Sequence, residues 1–391
     1  MTWKHDVADV HLLSALAVAL PLLLAAQSIE EQEWHLDALD VYTAQAQARG
    51  DGVIVGVIDS GVDAKHPDLA GQVLPGAGFG RSKGTDGTTD TDGHGTGMAG
   101  IIAATGRGGG ALGIAPGAKI LPIASADEKE QFGLDVVADS IRWAADHGAK
   151  VVNMSLGFSS SMTPTLVKAV NYAIEKDVVL VAATGNEGKE VSAPANINGV
   201  IAVAGTNKVG KPWASSNVGA DTVLAAPAEG IVTIAPESVY ASGYAEMDGT
   251  SAASAIVTGV AALVRARHPQ MPAKDVVNAL IRTATDLAEP GRDAATGFGM
   301  VNPVGALNAQ LPAVERNPLL PAPAPSTTQP TPALAAQRPA QPVDVKARLP
   351  FVAAVAGGTA VMTGLLIALP AIRSRRPKPV VSARDTPPTP W

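Results

Sequence analysis

Three residues of this chain carry the side chains of nucleophilic catalysis, each in a glycine-rich setting. Asp59 ends the run GVIVGVID at residues 52–59, His94 lies in DGHGTGMAG, and Ser251 lies in DGTSAASA. A serine hydroxyl is a poor nucleophile until a base takes its proton. A histidine, which titrates near neutrality, can be that base. A carboxylate on the other ring nitrogen then holds the required tautomer. Singly, each residue has a plainer reading. Ser251 opens a helix, where serine usually serves as an N-cap. Asp59 ends a buried strand, where a carboxylate needs a partner and where nucleotide-binding folds place a ribose ligand, although no glycine fingerprint precedes it. Together, in the order Asp, His, Ser, they point to acyl transfer.

Other motifs fail on context. GRSKG at 80–84 fits G-x-S-x-G, but no strand precedes Ser82, so it is not a nucleophile elbow. GGGALG at 108–113 follows a helix rather than a strand, and GTNKVGKP at 205–212 has Pro212 where a phosphate loop needs Ser or Thr. Asp86, Asp90 and Asp92 carry carboxylates, yet their spacing fits no calcium loop. No cofactor and no metal site is expected, with a structural calcium ion left as an open alternative.

The catalytic candidates must be positioned by the elements around them. Short apolar runs at 52–59, 119–125, 151–156, 178–184 and 200–205 read as buried strands. Between and after them, 133–147, 163–176, 251–268 and 273–285 read as helices, the first with Leu134, Val137, Ile141 and Ala144 at helical spacing. Strands alternating with helices imply parallel pairing in a doubly wound α/β sheet, with ligands bound beyond the carboxyl ends of the strands.

The three motifs resemble those of the subtilisin-like (subtilase) serine proteases over about 34–308. HPDL at 66–69, SLG at 155–157, ATGNEG at 183–188 and GFGMVNP at 297–303 add to the likeness. The resemblance implies a subtilisin-like, mostly parallel sheet flanked by helices. It implies Ser251 as nucleophile, His94 as general base and Asp59 as its orienting carboxylate. It also implies Asn186 as the side-chain donor of an oxyanion hole, beside the Ser251 backbone N–H. Substrate would lie extended along Ser155, Leu156 and Gly157, with Glu187 at the rim of the specificity pocket or simply solvated. One departure is the run SAASA from Ser251, where family members usually carry a proline a few residues on.

The rest of the 391 residues bounds the setting. The net charge of −7, with no basic run in the middle of the chain, argues against a nucleic-acid partner. With no cysteine, disulfides and thiol chemistry are excluded. Residues 1–28 read as a signal peptide, 33–310 as the catalytic domain and 311–348 as a Pro/Ala-rich stalk. Residues 349–372 are uncharged and exceed the ~20 residues that span a bilayer. Arg373, Arg375, Arg376 and Lys378 follow at once, so residues 373–391 are expected as a basic cytoplasmic tail and the catalytic domain outside the membrane. This plan, with WHLDAL at 34–39, resembles the mycosins, membrane-anchored subtilases of type VII secretion. That likeness implies a protein or peptide substrate and a secretion-system membrane complex as partner, in which proteolysis or scaffolding is the main role.

Overall fold

The computed structural model describes residues 28–125, 133–158, 162–287 and 290–322. Of the expected signal peptide only Ser28 is among these, and the stalk beyond residue 322, the membrane segment and the basic tail lie outside them. Among the described residues no helix is long and apolar enough to cross a membrane.

The apolar runs form strands with both faces covered, as parallel pairing requires, and a two-residue, half-buried strand adds an edge. They are β1 (Ile54–Asp59), β2 (Ala77–Gly78), β3 (Lys119–Ala124), β4 (Val151–Met154), β5 (Val179–Ala183), β6 (Ile201–Thr206) and β7 (Leu224–Pro227). Among the described residues these make one seven-stranded sheet in the order β2-β3-β1-β4-β5-β6-β7, every pairing parallel. The register sets Asp59 of β1 beside Ala124 of β3, and Val57 beside Asn153 of β4. A separate antiparallel hairpin joins β8 (Ile231–Ile234) to β9 (Tyr244–Met247).

The helices are α1 (Ile29–Gln32), α2 (Trp34–Ala38), α3 (Val41–Gln45), α4 (His94–Ala103), α5 (Leu134–Asp146), α6 (Pro164–Glu175), α7 (Thr250–Arg267), α8 (Ala273–Thr283) and α9 (Pro303–Asn308). Helices α4 and α7 pack together on the sheet, and α5 and α6 pack together on it. Nearly all of α7 is buried, from Thr250 to Arg265. Its Ala, Gly, Ser and Val side chains are small enough for a central helix to lie close to β4–β7. By contrast α8 is amphipathic, burying Val276, Val277, Leu280 and Ile281 on one side.

Short α1–α3 dock on the domain through specific contacts. The Trp34 indole N–H donates to the carbonyls of Glu229 and Gly230, and the Gln45 amide donates to those of Gly113 and Ile114. At the other end, residues 311–322, expected as the first part of the stalk, lie on the domain instead. The Val314 N–H donates to Asp275 and Asn317 is buried. Within this stretch the Asn317 amide donates to the Gly199 carbonyl and Leu319 packs against the core.

Candidate active site

The sheet brings its carboxyl edge and two helix N-termini to one place. Asp59 ends β1, His94 opens α4, and Ser251 is the second residue of α7. Chain geometry at each junction depends on glycine. Gly93 precedes α4 with φ 107°, a left-handed conformation that L side chains rarely adopt. A Cβ at Gly95 would stand 2.1 Å from the Gly61 carbonyl oxygen and 3.0 Å from Asp59 Cβ, so only glycine lets α4 approach the end of β1.

His94 Nδ1 is 2.8 Å from Asp59 Oδ1, with the Asp59 side chain 1% and the His94 side chain 17% exposed. The same Asp59 oxygen accepts the Ser60 backbone N–H at 2.8 Å, and the Ser60 hydroxyl in turn accepts the Gly95 N–H. Burial pushes the His94 imidazolium down, but the Asp59 charge and hydrogen bond, with Asp92 and Asp90 behind them, outweigh it and raise the ring to about 9. The buried Asp90 accepts the N–H groups of Asp92, Gly93 and Thr96 and the Thr96 hydroxyl. That is the work of a helix cap. Asp86 likewise accepts the Thr88 N–H and hydroxyl. No group of three or more potential metal ligands occurs among the described residues.

One open pocket is lined by Asp59, His94 and Ser251 together with Asn186, Ser155, Leu156, Gly157 and Glu187. All eight sequence-derived candidates therefore share it. Ser251 is 9% exposed, and its hydroxyl donates to the Ser155 carbonyl at 3.4 Å. Asn186 Oδ1 accepts both the N–H and the hydroxyl of Thr250, at 2.9 and 2.8 Å. Glu187 accepts from the Asn186 N–H and the Asn217 amide, so its carboxylate braces the loop that carries Asn186. The decoys are structural: Ser82 sits in a 3-10 turn, Gly80–Ser82, outside this pocket, and Pro212 bridges back to Thr206 with no helix after it.

Several residues that organise the site escaped the sequence reading. Thr250 ties Asn186 to α7 and also accepts the Gly185 N–H. Asn217 holds the 185–189 loop through the N–H groups of Glu187 and Lys189. A polar Asn153 inside an apolar strand was a visible signal, since a buried amide needs partners. Chemically, the arrangement offers a hydroxyl, an imidazole oriented by a carboxylate, and amide donors around a single cleft that can hold an extended chain.

Comparison with known proteins finds a family and solved structures similar to this chain. The subtilase family model matches residues 50–299. Fervidolysin from Fervidobacterium pennivorans is 36% identical over 316 residues, 73% of this chain, and the chain spans 45% of that protein's length. Subtilisin DY from Bacillus licheniformis is 37% identical over 264 residues, covering 66% of this chain and 92% of that one. The solved structure of MycP3 protease from the type VII (ESX-3) secretion system superposes with a TM-score of 0.63 at 31% identity, covering 73% of this chain and 90% of that one.

Proposed function

The chain belongs to the subtilase family, and on that premise we propose that it is a serine endopeptidase that cleaves peptide bonds through an acyl-enzyme on Ser251. The observation that carries the proposal is the 2.8 Å bond from His94 Nδ1 to Asp59 in the pocket that also holds Ser251 and Asn186. With Nδ1 committed to the carboxylate, Nε2 is the nitrogen left to take the Ser251 proton. The freed oxygen attacks the scissile carbonyl. The resulting oxyanion meets the Asn186 amide and the Ser251 N–H at the start of α7, where the helix dipole favours negative charge. The imidazolium returns the proton to the leaving amine, and water repeats the sequence to release the acid. Substrate lies extended along Ser155, Leu156 and Gly157, with Glu187 at the rim.

The setting we propose is a membrane-tethered enzyme attached to protein secretion. Residues 349–372 would be its single span, residues 373–391 its cytoplasmic tail, and the catalytic domain would face outward. Support comes from the uncharged 349–372 segment with its basic flank and from the likeness to MycP3, a protease of a secretion system. The same likeness favours a second reading, in which the domain is mainly a structural part of a membrane secretion complex.

A fluorophosphonate probe on the purified full chain, with the modified residue mapped, tests the chemistry: labelling at Ser251 is expected, and an unlabelled parent protein defeats it. Ser251→Ala should lose about a millionfold in kcat, as in subtilisin. Secretion restored in full by that variant would favour the structural role.

A further inference from the structure

A chain of buried hydroxyls and one amide runs beneath Ser251 and ends on its carbonyl. The Thr258 hydroxyl donates to Asn153 Oδ1 at 3.0 Å, and Asn153 Nδ2 donates to the Ser155 hydroxyl at 2.9 Å. The Ser155 and Ser254 hydroxyl oxygens lie 2.9 Å apart. The Ser254 hydroxyl reaches the Ser251 carbonyl at 2.9 Å, and that of Ser155 reaches it at 3.0 Å. Asn153, Ser254 and Thr258 are fully buried and Ser155 is 4% exposed, so none of them can turn to solvent for a partner.

Counting protons gives the chain a direction. Two hydroxyl protons are shared among three oxygens, and the Ser251 carbonyl can only accept. The Ser155 hydroxyl already accepts from Asn153, whose amide is in turn oriented by Thr258. A consistent path is Thr258 to Asn153 to Ser155 to Ser254 to the Ser251 carbonyl, each bond polarising the next.

We propose that Ser254, through this chain, is a positioning residue for the nucleophile and for the oxyanion donor beside it. The inference rests on the serine-protease reading above. Two clamps flank Ser251. On the N-terminal side, the Thr250 N–H is held by Asn186 Oδ1. On the C-terminal side, the Ser251 carbonyl is held by the Ser254 hydroxyl, which Ser155 orients in turn. The Ser251 N–H and side chain lie between the two, so the backbone torsions of Ser251 are fixed from both ends. The Ser251 hydroxyl itself donates to the Ser155 carbonyl at 3.4 Å, a bond it gives up when its proton passes to His94. A mid-helix serine that bonds back to the carbonyl three residues before it is otherwise slightly unfavourable to a helix. At Ser254 it is aimed at the one carbonyl whose placement sets the reacting oxygen. Small errors of placement at such a site cost heavily in rate.

The test is Ser254→Ala in the full chain. It removes the hydroxyl and leaves the α7 backbone intact. Expected is a fall of about tenfold in kcat with KM unchanged, an equal slowing of fluorophosphonate labelling at Ser251, and an unfolding midpoint close to the parent's. Ser254→Thr, which keeps the hydroxyl, should recover part of both rates. Thr258→Val breaks the far end of the chain, away from Ser251, and should give a smaller loss of the same kind. It also supplies the measurement if Ser254→Ala does not fold. Folded variants that turn over and label at the parental rate would overturn the positioning role while leaving the protease reading intact. A parent chain that neither labels nor cleaves would remove both.

Discussion

The Thr250 backbone N–H points at the Asn186 side chain, 2.9 Å from its Oδ1. A backbone N–H can only donate, so the amide must present its oxygen to α7. Its Nδ2 is thereby left to donate elsewhere, at the pocket that Asn186 lines. The Thr250 hydroxyl secures the same amide oxygen at 2.8 Å. Asn186→Ala should therefore lower kcat by about 10²–10³-fold with little change in KM, the magnitude found for the corresponding donor of subtilisin. Thr250→Val keeps the backbone N–H but loses the hydroxyl, and should give a smaller loss. Steady-state kinetics on a peptide substrate read both, and an Asn186→Ala enzyme within a few-fold of parental kcat would contradict the assignment.

The His94–Asp59 pair predicts alkaline behaviour. Asp59 and its acidic neighbours raise the imidazole from 6.5 to about 9, and only the neutral ring can accept the serine proton. kcat/KM should thus rise with pH along a limb displaced from 6.5 toward 9. A limb at or below 6.5 would show that the carboxylate does not hold the imidazolium. Stability runs the other way. The folded form binds this proton more tightly than the unfolded chain. The contribution is full below 6.5 and is lost as pH climbs through about 9. Comparing thermal unfolding of the parent and His94→Ala across that window isolates it.

Glu33 is almost wholly buried and accepts the Leu112 N–H at 2.8 Å. Burial raises its pKa to about 9 against the lowering effect of that hydrogen bond, with Glu30 and Asp68 adding to the rise. The unfolded chain releases this proton near 4.5 and the folded chain holds it, so stability falls as pH rises between those values. Glu33→Gln removes the titration and keeps an acceptor for Leu112. Its gain in melting temperature should be absent near pH 4 and grow up to pH 9. A gain that does not change with pH would refute the protonated carboxyl.

His35 of α2 is fully buried, and among the described residues neither ring nitrogen has a hydrogen-bond partner. Burial lowers its pKa to about 4. The unfolded chain takes up a proton below 6.5 that the folded ring refuses until about 4, so stability is lost as pH falls through that interval. His35→Leu should unfold at the same or a higher temperature at pH 7, by up to about 1 kcal/mol, because it removes an unpaired N–H. It should also lose less stability than the parent between pH 6.5 and 4. Urea titrations at the two pH values measure both.

The central strands and long helices were legible because they obey one local rule each. GVIVGVID is apolar on both faces and became β1, while the 3.6-residue spacing at Leu134, Val137, Ile141 and Ala144 became α5. The hairpin β8–β9 and the docked helices α1–α3 were not legible. Tyr244–Met247 has two half-buried residues and an exposed glutamate, and its pairing comes from β8 rather than from its own pattern. Helices α1–α3 are four or five residues long, too short for periodicity to register, and are held by distant carbonyls at Glu229 and Gly113.

The same division runs through the site. The identities of Asp59, His94, Ser251 and Asn186, and their order along the chain, were determined by sequence, since each stands in a motif whose neighbours are read locally. Their convergence was decided by the parallel sheet, which delivers the end of β1 and the starts of α4 and α7 to one edge. So was the hydroxyl chain from Thr258 to Ser251. It joins residues about a hundred positions apart, and no local pattern marks Ser254. A hydrogen bond is set by distance in space, and only the folded chain fixes which buried donor meets which acceptor.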